Sequence, residues 1–267
     1  MKWMVRVDME GVTGVVRMNQ VIPGASEYSF GQRMMMHDLH ALLGGLLQRP
    51  EDEVVLYDIH FFGTNIDLEA LGPNVTAICG KPHYTPDNGS FVDESFDGLI
   101  LLGLHAKAGM PDALLAHSYE HDITHMDVNG LEVGEIGLEA LMAGESGVPL
   151  VMVTADSEGA AEAERLVPNV VTAVTKLSLS GEGAACYPPS RTAELLRAGA
   201  MACVQAVKHI RPLCIEGPIR LEMRLKEGDL LRKLHDRIPE AFLTPNRLAL
   251  NGDSVIEAWR QYLTAKS

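Results

Sequence analysis

The sequence is poor in cysteine, poor in basic residues and without a long apolar run. Four cysteines (Cys79, Cys186, Cys203, Cys214) lie far apart and form no CxxC pair, so they read as reduced, mostly packed thiols of an intracellular protein. No apolar stretch approaches the ~18 residues of a membrane span, and nothing is expected to cross a bilayer. The opening MKWMVRVDMEG meets acids at Asp8 and Glu10, unlike any signal peptide, which leads to an expected cytoplasmic location. Only 22 Lys and Arg stand against 36 Asp and Glu, a formal net charge of −14. That surplus repels polyanions at long range and argues against nucleic acid as a partner. No GxxxxGK[ST] segment exists, and Gly11-Val12-Thr13-Gly14 sits beside two acids, which argues against a phosphate-binding α/β protein.

What is present is an ordinary globular balance, 46% apolar and 22% charged over 267 residues, long enough to bury a sizeable core. Short apolar runs at Met4–Val7, Glu53–Tyr57, Val75–Ile78, Gly98–Leu104 and Val148–Thr154 have strand length. They are too continuous for half-exposed strands, so both faces are expected to be covered. Helices are predicted between them over Glu27–Gln48, Glu135–Ala143 and Gly159–Leu166, the last capped at Asp156-Ser157. Strands alternating with helices imply an α/β fold, a mostly parallel sheet flanked by helices. Beyond Tyr187-Pro188-Pro189 the pattern changes: a helix over Arg191–His209, an alternating strand over Pro218–Leu225, then helices at Asp229–Arg237 and Ser254–Ala265. We therefore expect an α/β metal-binding catalytic domain over 1–185 and a smaller C-terminal α+β region over 186–267.

The chemistry gathers where the strands end. Met4–Val7 runs into Asp8 and Glu10, Glu53–Tyr57 into Asp58 and His60, and Gly98–Leu104 into His105. In a parallel sheet those ends share one edge, where ligands bind. Asp8 and Glu10 fall on one side of an extended chain, where two carboxylates repel unless a cation lies between them. A mixture of Asp, Glu and His suits zinc or a similar first-row divalent ion better than calcium, and it is ample for two ions sharing a carboxylate. Each residue also has a plainer reading: Asp8 as a turn former, His105 as a hydrogen-bonded structural histidine, Asp156 as the cap of its own helix. His117, His121 and His125 are spaced i, i+4, i+8, but Asp122-Ile123-Thr124 reads as strand as easily as helix.

Several separated segments resemble the bacterial D-aminopeptidase family of the dipeptide-transport operon type, dinuclear zinc peptidases. They are Val7-Asp8-Met9-Glu10-Gly11-Val12, Asp58-Ile59-His60 with Asn65, the stretch Leu102 to Gly109, Ala116-His117-Ser118, Val133-Gly134-Glu135-Ile136-Gly137-Leu138, and Pro168-Asn169-Val170. Their order and spacing are similar over about residues 1–185. The resemblance implies two zinc ions per chain, Asp8 bridging them, Glu10 and His60 completing one shell, His105 and Glu135 the other. It implies His117 as a catalytic histidine that is not a ligand, and assembly into a homo-oligomer. Glu135 would otherwise read as an acid favoured at a helix N-terminus.

The sequence departs from the family around Tyr57, Ile59, Phe61 and Phe62, bulky groups where smaller, more polar ones are expected. Three functions follow. The first is a metal-dependent aminopeptidase on short peptides, some with N-terminal D-residues. The second is an amidohydrolase on amino-acid amides or other amides. The third is a non-catalytic module binding a small ligand or metal in the same crevice.

Overall fold

The computed structural model describes residues 1–80 and 90–267. In chain order its elements are β1 (Lys2–Val7), α1 (Tyr28–Leu46), β2 (Glu53–Asp58), β3 (Val75–Ile78), β4 (Gly98–Leu104), β5 (Ile123–Val128), β6 (Leu131–Glu132), α2 (Glu135–Glu145), β7 (Leu150–Asp156), α3 (Ser157–Leu166), β8 (Val171–Ser180), β9 (Gly183–Cys186), α4 (Pro189–Ala206), β10 (Ile219–Leu225), α5 (Asp229–Arg237), β11 (Phe242–Thr244), β12 (Arg247–Gly252) and α6 (Val255–Lys266).

Among the described residues, seven strands form one sheet in the order β3-β2-β1-β4-β7-β8-β9. All its pairings are parallel except β8 with β9. Every residue of β4 and β7 is buried, as expected of strands covered on both faces. The chain runs outward from β1 through β2 to β3, then returns to place β4 on the other side of β1. The carboxyl ends of β1 and β4 thus flank a topological switch point, where a crevice opens in such sheets.

A second, antiparallel sheet has the order β11-β12-β10-β5-β6. Its centre pairs β10 with β5, so it takes strands from both sides of residue 185. Helix α4 packs along α1 on the first sheet. The molecule is therefore an α/β protein with a second sheet set beside the first.

The predicted helices lie within a few residues of the observed ones, and Asp156 caps α3 by accepting from the Glu158 amide at 3.3 Å. Strands β5, β6, β8, β9, β11 and β12 have no counterpart among the predicted runs. β8 reads VTAVTKLSLS, with a lysine at its centre and four of its last residues half-exposed or exposed, which dilutes its apolar signal. The cysteines depart from expectation: all four are unpaired, but only Cys203 is buried and the other three are exposed. Cys79 follows the end of β3 and Cys186 is the last residue of β9, where the chain leaves the sheet.

Candidate metal centre

Asp8 and Glu10 reach the switch point because the chain after β1 lies directly against the end of β4. The Gly11 amide donates to the Gly103 carbonyl at 2.7 Å. A Cβ on Gly11 would meet the Leu104 oxygen at 1.8 Å, and one on Gly103, whose φ is +76°, would meet the Asp8 oxygen at 2.3 Å. The Asp8–Thr13 segment is pinned from behind by buried side chains. Lys176 donates to the Glu10 and Val12 carbonyls at 2.7 and 2.6 Å, and the Thr175 hydroxyl to the Gly11 carbonyl at 2.6 Å. Asp38 accepts from the amide and hydroxyl of Thr13. Burial lowers the Lys176 ammonium to about 8.

Asp8 is the hub. Its Oδ1 lies 2.8 Å from His60 Nδ1, and its Oδ2 lies 3.5 Å from His105 Nε2. On one side Glu10 Oε2 is 3.3 Å from His60 Nδ1. On the other, Glu135 Oε1 is 3.4 Å from His105 Nε2 and 3.7 Å from His117 Nε2. The donor atoms of Asp8, Glu10 and His105 lie within 4.8 Å of one another, as do those of His105, His117 and Glu135. Each histidine spends its other nitrogen on a backbone carbonyl: His60 on Val21 at 2.7 Å, His105 on Ala106 at 3.0 Å, His117 on Leu115 at 2.9 Å. Those contacts occupy the nitrogen that faces away from the site and leave the other as the one that would ligate a metal on losing its proton, as outer-shell partners of metal-bound histidines do.

The cluster is short of positive charge. Three carboxylates and three imidazoles are packed together with Asp8, Glu10, His60 and His105 all under 5% exposed. Burial, then the Glu10 charge, raises the Asp8 carboxyl to about 7. Burial opposes ionisation of Glu10 too, but His60, His117 and His105 outweigh it and hold Glu10 well below the carboxylate range. Glu135 is held at about 2 against burial, chiefly by His105. The same carboxylates, against burial, hold His60 well above the usual imidazole value and His105 at about 10. His117 goes the other way, lowered by burial and then by the charge of His105, whose ring stacks on its own at 4.0 Å. Asp8 Oδ2, Glu10 Oε2 and His105 Nε2 are buried without a hydrogen-bond partner. Buried oxygen and nitrogen atoms without partners, converging in a cluster of carboxylates and imidazoles, fit a divalent cation of the zinc type.

The site opens into a cavity of about 510 Å³. It is lined by Ile59, Phe61 and Phe62 after β2, by Tyr119, Glu120 and His121 before β5, and by Leu263 and Lys266 of α6. The structure thus brings all six expected site residues together: Asp8, Glu10, His60, His105, His117 and Glu135. Asp58 does not join them. It accepts from the amide and side chain of Asn65 at 2.6 and 2.8 Å, tying down the loop that follows His60. Tyr57 is buried beside Phe91, away from the cavity. Glu135 opens α2 and accepts the Tyr119 amide at 2.6 Å. Of the histidine triplet, His121 stacks on His117 at 4.5 Å, whereas His125 lies on β5 beside Asp127 and Glu132. Lys176, Leu263 and Lys266 have no local signal that would single them out, since each belongs to the site only through packing.

No described helix is long and apolar enough to cross a membrane. A family model, peptidase M55, D-aminopeptidase, matches residues 1–262. The D-aminopeptidase of Bacillus subtilis (strain 168) is 33% identical over 215 residues, which are 80% of this chain and 77% of that protein. The solved Zn-dependent D-aminopeptidase DppA from Bacillus subtilis, a self-compartmentalizing protease, superposes with a TM-score of 0.91 at 27% identity, covering 99% of this chain and 96% of its own. The chain belongs to the D-aminopeptidase family and is a metal-dependent aminopeptidase.

Proposed function

We propose that the cavity binds two zinc ions and that the protein removes N-terminal D-residues from short peptides. Asp8 would serve both ions, Glu10 and His60 would hold one, and His105 and Glu135 would hold the other. The observation that carries this reading is the orphaned set Asp8 Oδ2, Glu10 Oε2 and His105 Nε2, converging at the switch point. The division between two ions rests on Asp8, whose two oxygens face the two histidines separately. Zinc bound there supplies Lewis-acid polarisation of the scissile carbonyl and brings the pKa of water toward ~7.

The protein's own groups do the rest. His117 is held by the Leu115 carbonyl, and burial, then the charge of His105, lowers its pKa and favours the neutral ring. It takes a proton from the attacking water as the C–O bond forms, then delivers it to the leaving amine as the C–N bond breaks. Phe61 and Phe62 line the cavity with apolar surface.

The relatives' activity and metal support the same reading, and the unpaired cysteines suit a reducing cytoplasm. Assembly into a homo-oligomer is proposed on the likeness to the self-compartmentalizing DppA. The test is hydrolysis of matched D- and L-amino-acid dipeptides by the purified protein, with and without a chelator, alongside zinc analysis. Chelator-sensitive cleavage of D-substrates with two zinc ions per chain is expected. Turnover unaffected by metal removal would sink it.

A further inference from the structure

One part of the cavity wall is built from two distant parts of the chain. The first is a tight turn: the Glu120 amide donates to the Ser118 carbonyl at 2.7 Å, and Tyr119 between them has φ +59°. That turn lays the Tyr119 amide on Glu135 and sends the Glu120 side chain into the cavity. The second part is α6. Its start is fixed by Ser254, which caps Glu257, and by Glu145, which accepts the Val255 and Ile256 amides. One face of α6 carries residues 259, 262, 263 and 266, spaced as neighbours on a helix. Trp259 packs on Tyr119 at 4.5 Å and Tyr262 stacks on Trp259 at 4.8 Å. The same face therefore brings Leu263 and Lys266 to the cavity.

Lys266 forms an ion pair with Glu120 across this wall. Among the described residues lining the cavity, it is the only Lys or Arg, against the carboxylates of Asp8, Glu10, Glu120 and Glu135. A free peptide carries a carboxylate at its far end, which Glu120, the lining acid not assigned to the metals, and the net charge of −14 would repel. We infer that Lys266, held toward the cavity by Glu120, binds the C-terminal carboxylate of short peptide substrates and so selects peptides over amides. This inference rests on the aminopeptidase reading and adds to it a substrate class. Both partners are about a third exposed, and such a pair adds little to stability. Exchanging the Glu120 carboxylate for that of a substrate replaces one ion pair by another, so engagement costs little.

The zinc-loaded protein is assayed on D-alanylglycine and D-alanylglycinamide, which differ only in the terminal charge. The wild type is expected to prefer the free acid. Lys266→Met should lower kcat/KM on D-alanylglycine at least about tenfold, mostly through KM, while changing the amide by no more than about twofold. Lys266→Arg, which keeps the charge, should recover most of the loss. Equal losses on both substrates would mark Lys266 as a structural support of the 118–120 turn and overturn the inference, as would no loss on either. A wild type that cleaves the amide but not the acid would overturn the inference alone. Cleavage of neither would defeat the aminopeptidase reading, and this inference with it.

Discussion

Gly103 faces the backbone of Asp8: a Cβ at Gly103 would lie 2.3 Å from the Asp8 carbonyl oxygen, and the Gly103 φ is already +76°. The same residue receives the Gly11 amide and donates its own amide to Thr154 at 2.8 Å. The hub carboxylate of the metal centre is thus set by a contact that tolerates no side chain.

Gly103→Ala is expected to combine a steric clash with left-handed strain, costing about 2–4 kcal/mol. Urea denaturation measures the loss, and zinc content should fall as Asp8 is displaced. A variant as stable and as well metallated as the wild type would show that the loop after β1 can relax away from β4.

Asp8→Ala should bring zinc content close to zero, because its two oxygens serve both sides of the cluster. Elemental analysis after dialysis against zinc checks this. Retention of a full complement would refute the shared role.

His117→Ala should keep its metal and lose about 10²–10⁴-fold in kcat, the range of a lost general acid–base. His117 lies beside Glu135 but takes its anchor from the Leu115 carbonyl. Loss of zinc along with activity would make it a ligand instead.

Proton linkage gives a fourth expectation. In the metal-free protein the His105 pKa is raised to about 10 from its ordinary 6.5. Its contribution to stability is then fully present below about 6.5 and lost as pH rises through about 10. Zinc requires the unprotonated ring, so binding near pH 8 should release about one proton or more per chain. Calorimetric titration of zinc in buffers of different ionisation enthalpy reads that number, and no release would contradict the assigned protonation.

Arg6 and Glu139 form an ion pair in the core, with neither side chain more than 1% exposed. Arg6→Met leaves the carboxylate buried with its main countercharge gone, at a cost of about 3–5 kcal/mol. The double change Arg6→Met with Glu139→Leu should recover most of it in urea denaturation. If the double variant is no better than the single, the loss lies in packing and not in charge.

Much of the centre was legible along the chain because a parallel sheet aligns the ends of its strands. Asp8, Glu10, His60 and His105 each follow an apolar run directly, and the burial of β1, β2 and β4 follows from the same runs. Glu135 and His117 were expected only through the family resemblance, since a helix start and a loop carry no pattern that points at a strand end. Tertiary structure alone decided the rest. Local periodicity reports on neighbours two to four residues away, whereas Lys176 reaches Glu10 across 166 residues and Lys266 reaches Glu120 across 146. Which strand joins the second sheet, which nitrogen of each histidine faces the site and which cysteines lie on the surface are likewise set by packing between distant segments. The residue order specified the chemistry at the strand ends; the close approach of Gly103 to Asp8 and the docking of α6 specified its geometry.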